Sequence, residues 1–192
     1  MLRAADDLLM DVGFQAMTVG AIAERADVAK QTIYRWWRSK VDILLDVLEE
    51  DLRDPSFWPE LPHHPHAALE RYVTHVGTVF TESPTGRVLF VLIGHALHDP
   101  ATATALRGEV LRPQRQYDRA RIQAALPSRP GGAASRHHAD QLLDLVVGAA
   151  FHRAFMTGRP LDTRFVRQLA GAVLALRDGV PPPGAPFPAP SV

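Results

Sequence analysis

The sequence predicts an all-α protein made of a small N-terminal head and a larger helical body. Apolar residues recur at helical spacing along most of the chain, and no segment has an evident partner strand. Four prolines crowd residues 54–65 and separate a short N-terminal part from a longer C-terminal part. We therefore expect a head at residues 1–53 and a body at residues 66–180.

Composition limits the classes of function. The 192 residues include 21 basic and 21 acidic side chains and no cysteine, so disulfides and thiolate metal sites are excluded. No apolar run reaches the roughly 18 residues of a membrane span, and the N-terminus lacks the features of a signal peptide. We expect a cytoplasmic protein with no membrane partner.

The first two helices of the head follow from apolar spacing and capping residues. Residues 2–12 place leucine, alanine and valine side chains on one face, and Gly13 is expected to end this helix. Thr18 is a good N-cap for a second helix, whose apolar face includes Ile22. Asp27 lies at the turn that follows.

The third and fourth helices differ sharply in charge. Residues 30–37 form the third helix, and Ser39 caps a longer fourth helix with a leucine-rich stripe. Asp42, three residues after this cap, favours the positive end of the helix. Residues 28–40 carry basic and no acidic side chains, whereas residues 42–51 carry acidic and no basic ones. A basic third helix can bind phosphate where it contacts DNA.

The body should be helical throughout, with helices at about residues 67–83, 86–98, 101–126, 140–157 and 162–178. By composition alone, the apolar run at residues 88–93 could be a buried strand, but without a partner strand it is predicted to be a buried helix. Pro113 should kink or break the third of these helices. Residues 127–135 are expected to form a loop, and the Pro-rich tail at 181–192 to be disordered.

The head carries a pattern of residues at fixed spacing. The pattern consists of Gly13, Phe14, Thr18, Val19, Ile22, Ala23, Ala26, Val28, Thr32, Ile33, Tyr34, Trp37, Lys40 and Leu44. It strongly resembles the N-terminal domain of TetR/AcrR-type transcriptional regulators, over about residues 1–53. Residues 157–162 resemble the family's C-terminal domains more weakly. The resemblance implies a helix-turn-helix head whose third helix lies in the DNA major groove.

The chemistry of the third helix agrees with DNA reading. Gln31, Thr32 and Arg35 lie near the N-terminal end of this helix, which is the end that enters the groove. Glutamine can pair bidentately with adenine, and arginine with guanine. Thr32 can contact a thymine methyl group or a phosphate. These three residues are therefore the candidates for base contacts.

Other side chains suit phosphates, which position a protein without reading sequence. Lys30, Tyr34 and Lys40 belong to this group. Thr18 can combine capping with a phosphate contact, because helix N-termini attract anions. Two alternatives stay open: Tyr34 could be a core aromatic residue, and Lys40 could simply lie near Asp42 on the surface.

The resemblance adds the two neighbouring tryptophans. Trp37 stands where the family keeps a core aromatic residue, whereas Trp36 is expected along the sugar–phosphate backbone. The complete set of expected DNA contacts is Thr18, Lys30, Gln31, Thr32, Tyr34, Arg35, Trp36 and Lys40.

The chain departs from the family pattern at the turn. Asp27 stands where the family prefers glycine, and aspartate tolerates the left-handed conformation better than most residues. Ala29 replaces the usual cap of the third helix, a loss of roughly 1 kcal/mol that Asp27 could partly offset. The sequence also begins within the first helix, without the basic arm of many relatives, which predicts weaker and less salt-dependent binding.

The body is expected to supply a dimer interface. A head of this size covers one DNA half-site, and two-fold dimers read two half-sites. The last two helices carry small residues that allow close approach, so two copies would form a four-helix bundle. The alternative is that these helices only close the core of one subunit.

By resemblance, residues 67–157 should also enclose a small-molecule effector. The candidate lining residues are Tyr72, His75, Val76, Phe80, Phe90, Ile93, His95, Leu97, Tyr117, Phe151, His152 and Phe155. Most are expected to be ordinary core residues, and each histidine is more readily a hydrogen-bonded core residue than a ligand contact. The mostly apolar set favours an apolar or aromatic effector.

No cofactor, metal site or catalytic activity is expected. His63, His64 and His66 lie in the Pro-rich segment, which offers no rigid scaffold for a metal, and His137 and His138 begin a body helix. Phosphate-binding glycine loops, nucleophile elbows and zinc-protease motifs are missing. The resemblance to TetR/AcrR-type regulators therefore implies a homodimeric repressor that an effector releases from its DNA operator. The alternative is a helical small-molecule-binding protein without DNA-binding function.

Overall fold

The computed structural model describes residues 1–126 and 136–177, and every regular element in those ranges is helical. The α-helices are α1 (Leu2–Ala16), α2 (Val19–Arg25), α3 (Lys30–Tyr34), α4 (Lys40–Arg53), α5 (Pro65–Thr81), α6 (Pro84–Ala96), α7 (Pro100–Ala105), α8 (Arg112–Ala125), α9 (Arg136–Phe151) and α10 (Thr163–Arg177). The all-α class is confirmed, and residues 88–93 are helical. The expected loop at 127–135 and tail at 181–192 lie outside the described residues.

Among the helical elements of residues 1–126 and 136–177, three are not α-helices. A 3-10 turn at Pro55–Phe57 follows α4 in the Pro-rich segment. Two wider π-helical turns, at Leu106–Leu111 and His152–Met156, follow α7 and α9. The break expected at Pro113 is therefore a π-helical turn that ends two residues before this proline. None of the helices in the described ranges is long and apolar enough to cross a membrane.

The expected helix caps are confirmed in the head. The Thr18 hydroxyl oxygen accepts a hydrogen bond from the Ala21 amide at 3.1 Å. Ser39 and Asp42 cap α4 reciprocally, with the Asp42 amide donating to Ser39 Oγ at 3.2 Å and the Ser39 amide donating to Asp42 Oδ2 at 3.0 Å. These bonds satisfy backbone donors that the helix itself leaves unpaired.

The two expected irregular positions behave differently. Asp27 adopts the left-handed conformation, with φ of 52°, as expected for the turn. Its side chain does not replace the missing cap, because no side-chain hydrogen bond caps the start of α3 at Ala29, the residue before the helix. Gly13, with φ of 75° and ψ of 166°, kinks α1 instead of ending it, and helical structure continues to Ala16.

The head shares its core with helices from the body. The chain forms two compact units, of which the first comprises Met1–Pro59 and Thr78–Asp118. Its core contains Ile22, Ile33 and Leu44 of the head together with Val88 of α6 and Val110 of the π-helical turn at Leu106–Leu111. Each such buried aliphatic side chain contributes about 1.5–3 kcal/mol. The boundaries proposed at residues 53 and 66 remain a prediction.

The second compact unit comprises Glu60–Gly77 and the described residues from Arg119 onward. Here α9 packs against α10, with Leu142, Val146 and Val173 buried. Gly77 of α5 lies so close to the segment before α10 that a Cβ atom there would be 3.2 Å from the Leu161 side chain.

Candidate nucleic-acid interface

The five-residue helix α3 presents almost its whole surface to solvent. Ile33 is the only buried residue of α3, and it packs into the head core. Gln31, Thr32 and Arg35, the three candidates for base contacts, are all exposed. Since Ile33 fixes one face of α3 against the core, the opposite faces are available to a groove of DNA.

The end of α3 is held by the following tryptophan. Trp37 is half-buried against the head core, as expected for a core aromatic residue. Its indole N–H donates a hydrogen bond of 2.7 Å to Asp46 Oδ2 on α4. Ile33 and Trp37 together fix the orientation of α3 relative to α4.

The remaining aromatic residues of this segment lie at the surface. Tyr34 is 50% exposed and Trp36 is 71% exposed, so the open alternative of a core role for Tyr34 is not what the structure shows. The Lys30 ammonium lies 5.7 Å from the centroid of the Tyr34 ring, and the Arg35 guanidinium lies 5.8 Å from that of Trp36. Each aromatic residue therefore has a cation beside it, a combination suited to a sugar–phosphate chain.

Thr18 and Lys30 lie on the same small surface, at the start of α2. A Cβ atom added at Gly20 would be 3.7 Å from the Thr18 hydroxyl oxygen and 3.9 Å from the Lys30 ammonium nitrogen. A phosphate in this position would meet the cation of Lys30 close to the N-terminus of α2.

Lys40 has partners within the head itself. Its ammonium group donates hydrogen bonds to the main-chain oxygens of Phe14, at 2.6 Å, and Met17, at 2.9 Å. It also lies 4.1 Å from the centroid of the Phe14 ring. Lys40 therefore does not simply lie near Asp42, and a phosphate would compete with two carbonyl groups for its protons.

Arg38 is a candidate contact that the sequence argument did not include. It is exposed between α3 and α4, and only its backbone amide has a recorded bond in the described structure, to Asp42 Oδ2 at 2.9 Å. Arg25, by contrast, is paired with Asp11 at 2.6 Å. The basic stretch at residues 28–40 already included Arg38, so charge alone was the signal that could have identified it.

Six of the predicted effector residues belong to the first compact unit, and the structure gives them different environments. Phe80 and Phe90 stack edge to face with centroids 5.7 Å apart, and Ile93 packs against the head core. His95 lies against the Phe14 ring, and Leu97 is 75% exposed. Tyr117 lines a groove, which is described below.

The other six belong to the second unit. Tyr72 and Val76 are buried core residues, whereas His152 is exposed at the surface. Phe151 and Phe155 contact each other with centroids 5.1 Å apart. Burial, with smaller effects from Arg121 and Arg71, lowers the pKa of His75 to about 4, so this imidazole is neutral at physiological pH.

An exposed basic helix, joined by a tight left-handed turn to the supporting helix before it, defines the class of helix-turn-helix DNA-binding proteins. Comparison with protein families agrees with this class. Residues 1–47 match the model of bacterial regulatory proteins of the tetR family, and residues 64–173 match the tetracyclin repressor-like C-terminal domain. The chain belongs to the TetR family of transcriptional regulators.

Individual relatives support the same assignment. The HTH-type transcriptional regulator YdeS of Bacillus subtilis is 31% identical over 88% of this chain and 83% of its own length. Rv1556 of Mycobacterium tuberculosis, also an HTH-type transcriptional regulator, is 25% identical over 87% of this chain and 80% of its own. Among solved structures, the TetR family transcription regulator SCO0332 superposes with a TM-score of 0.72 at 32% identity, covering 94% of this chain and 96% of that one.

Proposed function

We propose that this regulator is a homodimeric repressor that binds a DNA operator through α3 of each subunit and is released by a small-molecule effector. The observation that carries the DNA-binding part is the exposure of Gln31, Thr32 and Arg35 on a helix anchored by one buried residue, Ile33. Solvated side chains on a fixed helix can pair with base edges without disturbing the core.

The remaining contacts divide between phosphates and structure. Thr18, Lys30, Tyr34 and Trp36 are exposed and are proposed to contact the DNA backbone, together with the exposed Arg38. Lys40, which was also expected at DNA, is instead proposed to support the head.

The dimer is proposed to form through α9 and α10. Leu145 of α9 and Leu176 of α10 are 43% and 47% exposed, and they line one shallow depression with Leu142. Leucine side chains exposed together on adjacent helices favour burial against a second copy. Binding of such a dimer to an operator requires its two heads to meet half-sites about 34 Å apart on one side of the duplex.

Release by an effector requires a difference in affinity between two states. A ligand that binds more tightly to the arrangement in which the heads no longer fit the operator shifts the dimer away from DNA. Within the first unit, α6 and the π-helical turn at Leu106–Leu111 are physically connected to the head, because all three share one core.

A gel-shift experiment tests the DNA-binding proposal. The duplex is taken from the region upstream of the protein's own coding sequence, at low salt, and the Gln31→Ala, Thr32→Ala, Arg35→Ala triple variant is compared with Arg87→Ala. Arg87 is an exposed basic residue on α6, outside the head. We expect a shift with wild type and Arg87→Ala and none with the triple variant.

Sedimentation of the same preparations tests the dimer. Leu145→Asp should give monomers, whereas Leu97→Asp, which changes an exposed leucine immediately after α6, should leave the dimer intact. A folded wild-type dimer that shifts no duplex at low salt would contradict the repressor proposal. It would favour the alternative of a helical small-molecule-binding protein.

A further inference from the structure

The first compact unit contains a half-open groove of about 210 Å³ at the C-terminal end of α4. Four segments form it: the end of α4, the 3-10 turn at Pro55–Phe57 with the residue after it, the π-helical turn at Leu106–Leu111, and the start of α8. Its walls are aromatic and aliphatic on one side and acidic at the rim. Apart from Tyr117, its lining was not among the predicted effector residues.

The aromatic wall consists of Trp58 and Tyr117. Their ring centroids are 6.4 Å apart and the ring planes are inclined at 59°. The Trp58 indole N–H donates to the main-chain oxygen of Leu52 at 3.2 Å, which fixes the ring at the groove. Leu52 and Val110 supply the aliphatic part of the lining. A ligand in the groove would therefore meet the faces or edges of two oriented aromatic rings.

The rim of the groove carries a net negative charge. Glu49, Asp54 and Glu109 contribute three carboxylates, and Arg53 contributes the single basic side chain of the lining. Arg53 is already bound to Glu49 at 2.6 Å. Within the described residues, no cation pairs with Asp54 or with the exposed Glu109.

Asp54 keeps its negative charge over a wide pH range. Its Oδ1 atom accepts a hydrogen bond from the Ser56 amide at 2.8 Å. This bond to the ionised form lowers the pKa of the Asp54 carboxyl group below its usual value. Asp54 therefore contributes a carboxylate to the lining at physiological pH.

We propose that this groove binds a small aromatic organic cation, and that such a cation is the effector of the regulator. The claim that this cation is the effector rests on the proposed function. Tryptophan and tyrosine rings attract cations through the negative faces of their π-systems, and the two unpaired carboxylates attract the same charge. An anion of equal size would be repelled, and a neutral ligand would gain only from burial of its ring.

The groove is connected to the DNA-reading helix through α4. Glu49, Leu52 and Arg53 lie at the C-terminal end of this 14-residue helix. Asp46, one turn earlier on α4, accepts the hydrogen bond from Trp37 that holds the end of α3. A ligand that moves the end of α4 therefore acts on the helix that orients the reading surface.

Three probes with one common ring test the proposed ligand class: benzyltrimethylammonium, benzyl alcohol and benzoate. Each is titrated into the full-length protein by isothermal calorimetry at low ionic strength. We expect saturable binding of benzyltrimethylammonium at one site per chain, much weaker binding of benzyl alcohol, and no binding of benzoate. Equal binding of all three probes, or preferred binding of benzoate, would overturn the proposal.

Variants locate the site. Glu109→Gln removes one carboxylate of the rim at an exposed position, and Glu82→Gln removes an exposed carboxylate that is not part of the groove. Glu109→Gln and Trp58→Leu should each weaken benzyltrimethylammonium binding about five- to tenfold, whereas Glu82→Gln should leave it unchanged. Because Trp58→Leu changes a half-buried residue, its unfolding temperature is measured alongside. Wild-type affinity in folded Glu109→Gln and Trp58→Leu proteins would also overturn the proposal.

A gel shift with benzyltrimethylammonium separates the site from its regulatory role. If the cation binds at the groove and releases the duplex, both halves of the proposal are supported. If it binds there without any effect on DNA affinity, the site is supported and its role as the effector site is overturned. If the protein binds no DNA at all, the proposed function fails while the calorimetric result on the groove still holds.

Discussion

Lys40 closes the C-terminal end of α1 by donating a 2.6 Å hydrogen bond to the main-chain oxygen of Phe14, whose ring also lies 4.1 Å below the same ammonium group. A second bond, of 2.9 Å, reaches the Met17 oxygen. The carbonyl groups at a helix end lack partners within the helix, and a cation satisfies both their hydrogen bonding and their partial negative charge. Lys40 thereby ties α1 to the start of α4.

Replacing Lys40 by methionine should destabilise the protein without changing the salt dependence of DNA binding. We expect a loss of about 1–3 kcal/mol in the free energy of unfolding, because two carbonyl groups lose a charged donor. Lys30→Met, at an exposed position, should leave stability almost unchanged and reduce the salt slope of operator binding by about 1. Denaturant unfolding and salt titrations measure both quantities. Unchanged stability with a reduced slope in Lys40→Met would instead identify Lys40 as a phosphate contact.

Replacing Arg35 by alanine should weaken operator binding at one particular base pair. If Arg35 pairs with guanine, the loss is about 1–3 kcal/mol for the preferred sequence and much less for a duplex altered at that pair. Competition binding with a set of single-base-pair variants measures this difference, and Arg87→Ala serves as the control. An equal loss across every duplex would show that Arg35 contacts a phosphate.

Two glycines of α6 should respond in opposite ways to alanine. A Cβ atom at Gly86 would lie 1.8 Å from the main-chain oxygen of Val79, a contact that only a backbone shift can relieve, whereas a Cβ atom at Gly94 would meet nothing within 4 Å. Gly86→Ala should cost about 3 kcal/mol or more. Gly94→Ala should be neutral or stabilising by up to about 1 kcal/mol, because alanine favours the helix.

Unfolding experiments on the two glycine variants compare them directly. Similar effects of both substitutions would show that α6 does not approach Val79 as closely as the structure indicates.

Asp6 should make stability depend on pH. Burial, followed by the charges of Asp51 and Asp7, raises the pKa of the Asp6 carboxyl group above its usual 3.8. A raised pKa means that the folded state holds this proton more tightly than the unfolded state. The ionisation of Asp6 therefore lowers the free energy of unfolding as pH rises through the folded pKa. Asp6→Asn should therefore stabilise the protein at neutral pH, and the gain should disappear as pH falls towards 3.8.

Denaturant unfolding of Asp6→Asn and wild type, from neutral pH down towards 3.8, measures the difference in the free energy of unfolding. Glu24→Gln, at an exposed position of α2, is the control and should change the free energy of unfolding by less than about 0.5 kcal/mol. A constant difference between wild type and Asp6→Asn at all pH values would contradict the assignment.

Features that depend on near neighbours in sequence were predictable. The caps at Thr18 and Ser39 each use a partner three residues away, and the left-handed turn at Asp27 depends on local backbone sterics. The same holds for the exposed face of α3, since apolar spacing alone separates Ile33 from its exposed neighbours. The helical character of the chain followed for the same reason.

Features that depend on distant partners were not predictable. The oxygen atom that Lys40 binds belongs to a residue 26 positions earlier in the chain, and no pattern in the sequence joins the two. The groove combines Trp58, in a Pro-rich segment interpreted as a boundary, with Glu109 on a π-helical turn, a geometry that helical periodicity does not anticipate. The predicted effector set followed apolar helix faces and therefore contained mostly core residues.

The anchoring of α3 by a single buried side chain has an evolutionary consequence. Gln31, Thr32 and Arg35 contribute little to the folded core, so nearly any combination of residues at these positions leaves the scaffold intact. With these three residues in the proposed role of base contacts, a descendant formed by gene duplication could acquire a new target sequence by changing three codons while the stability of its head stays as it was.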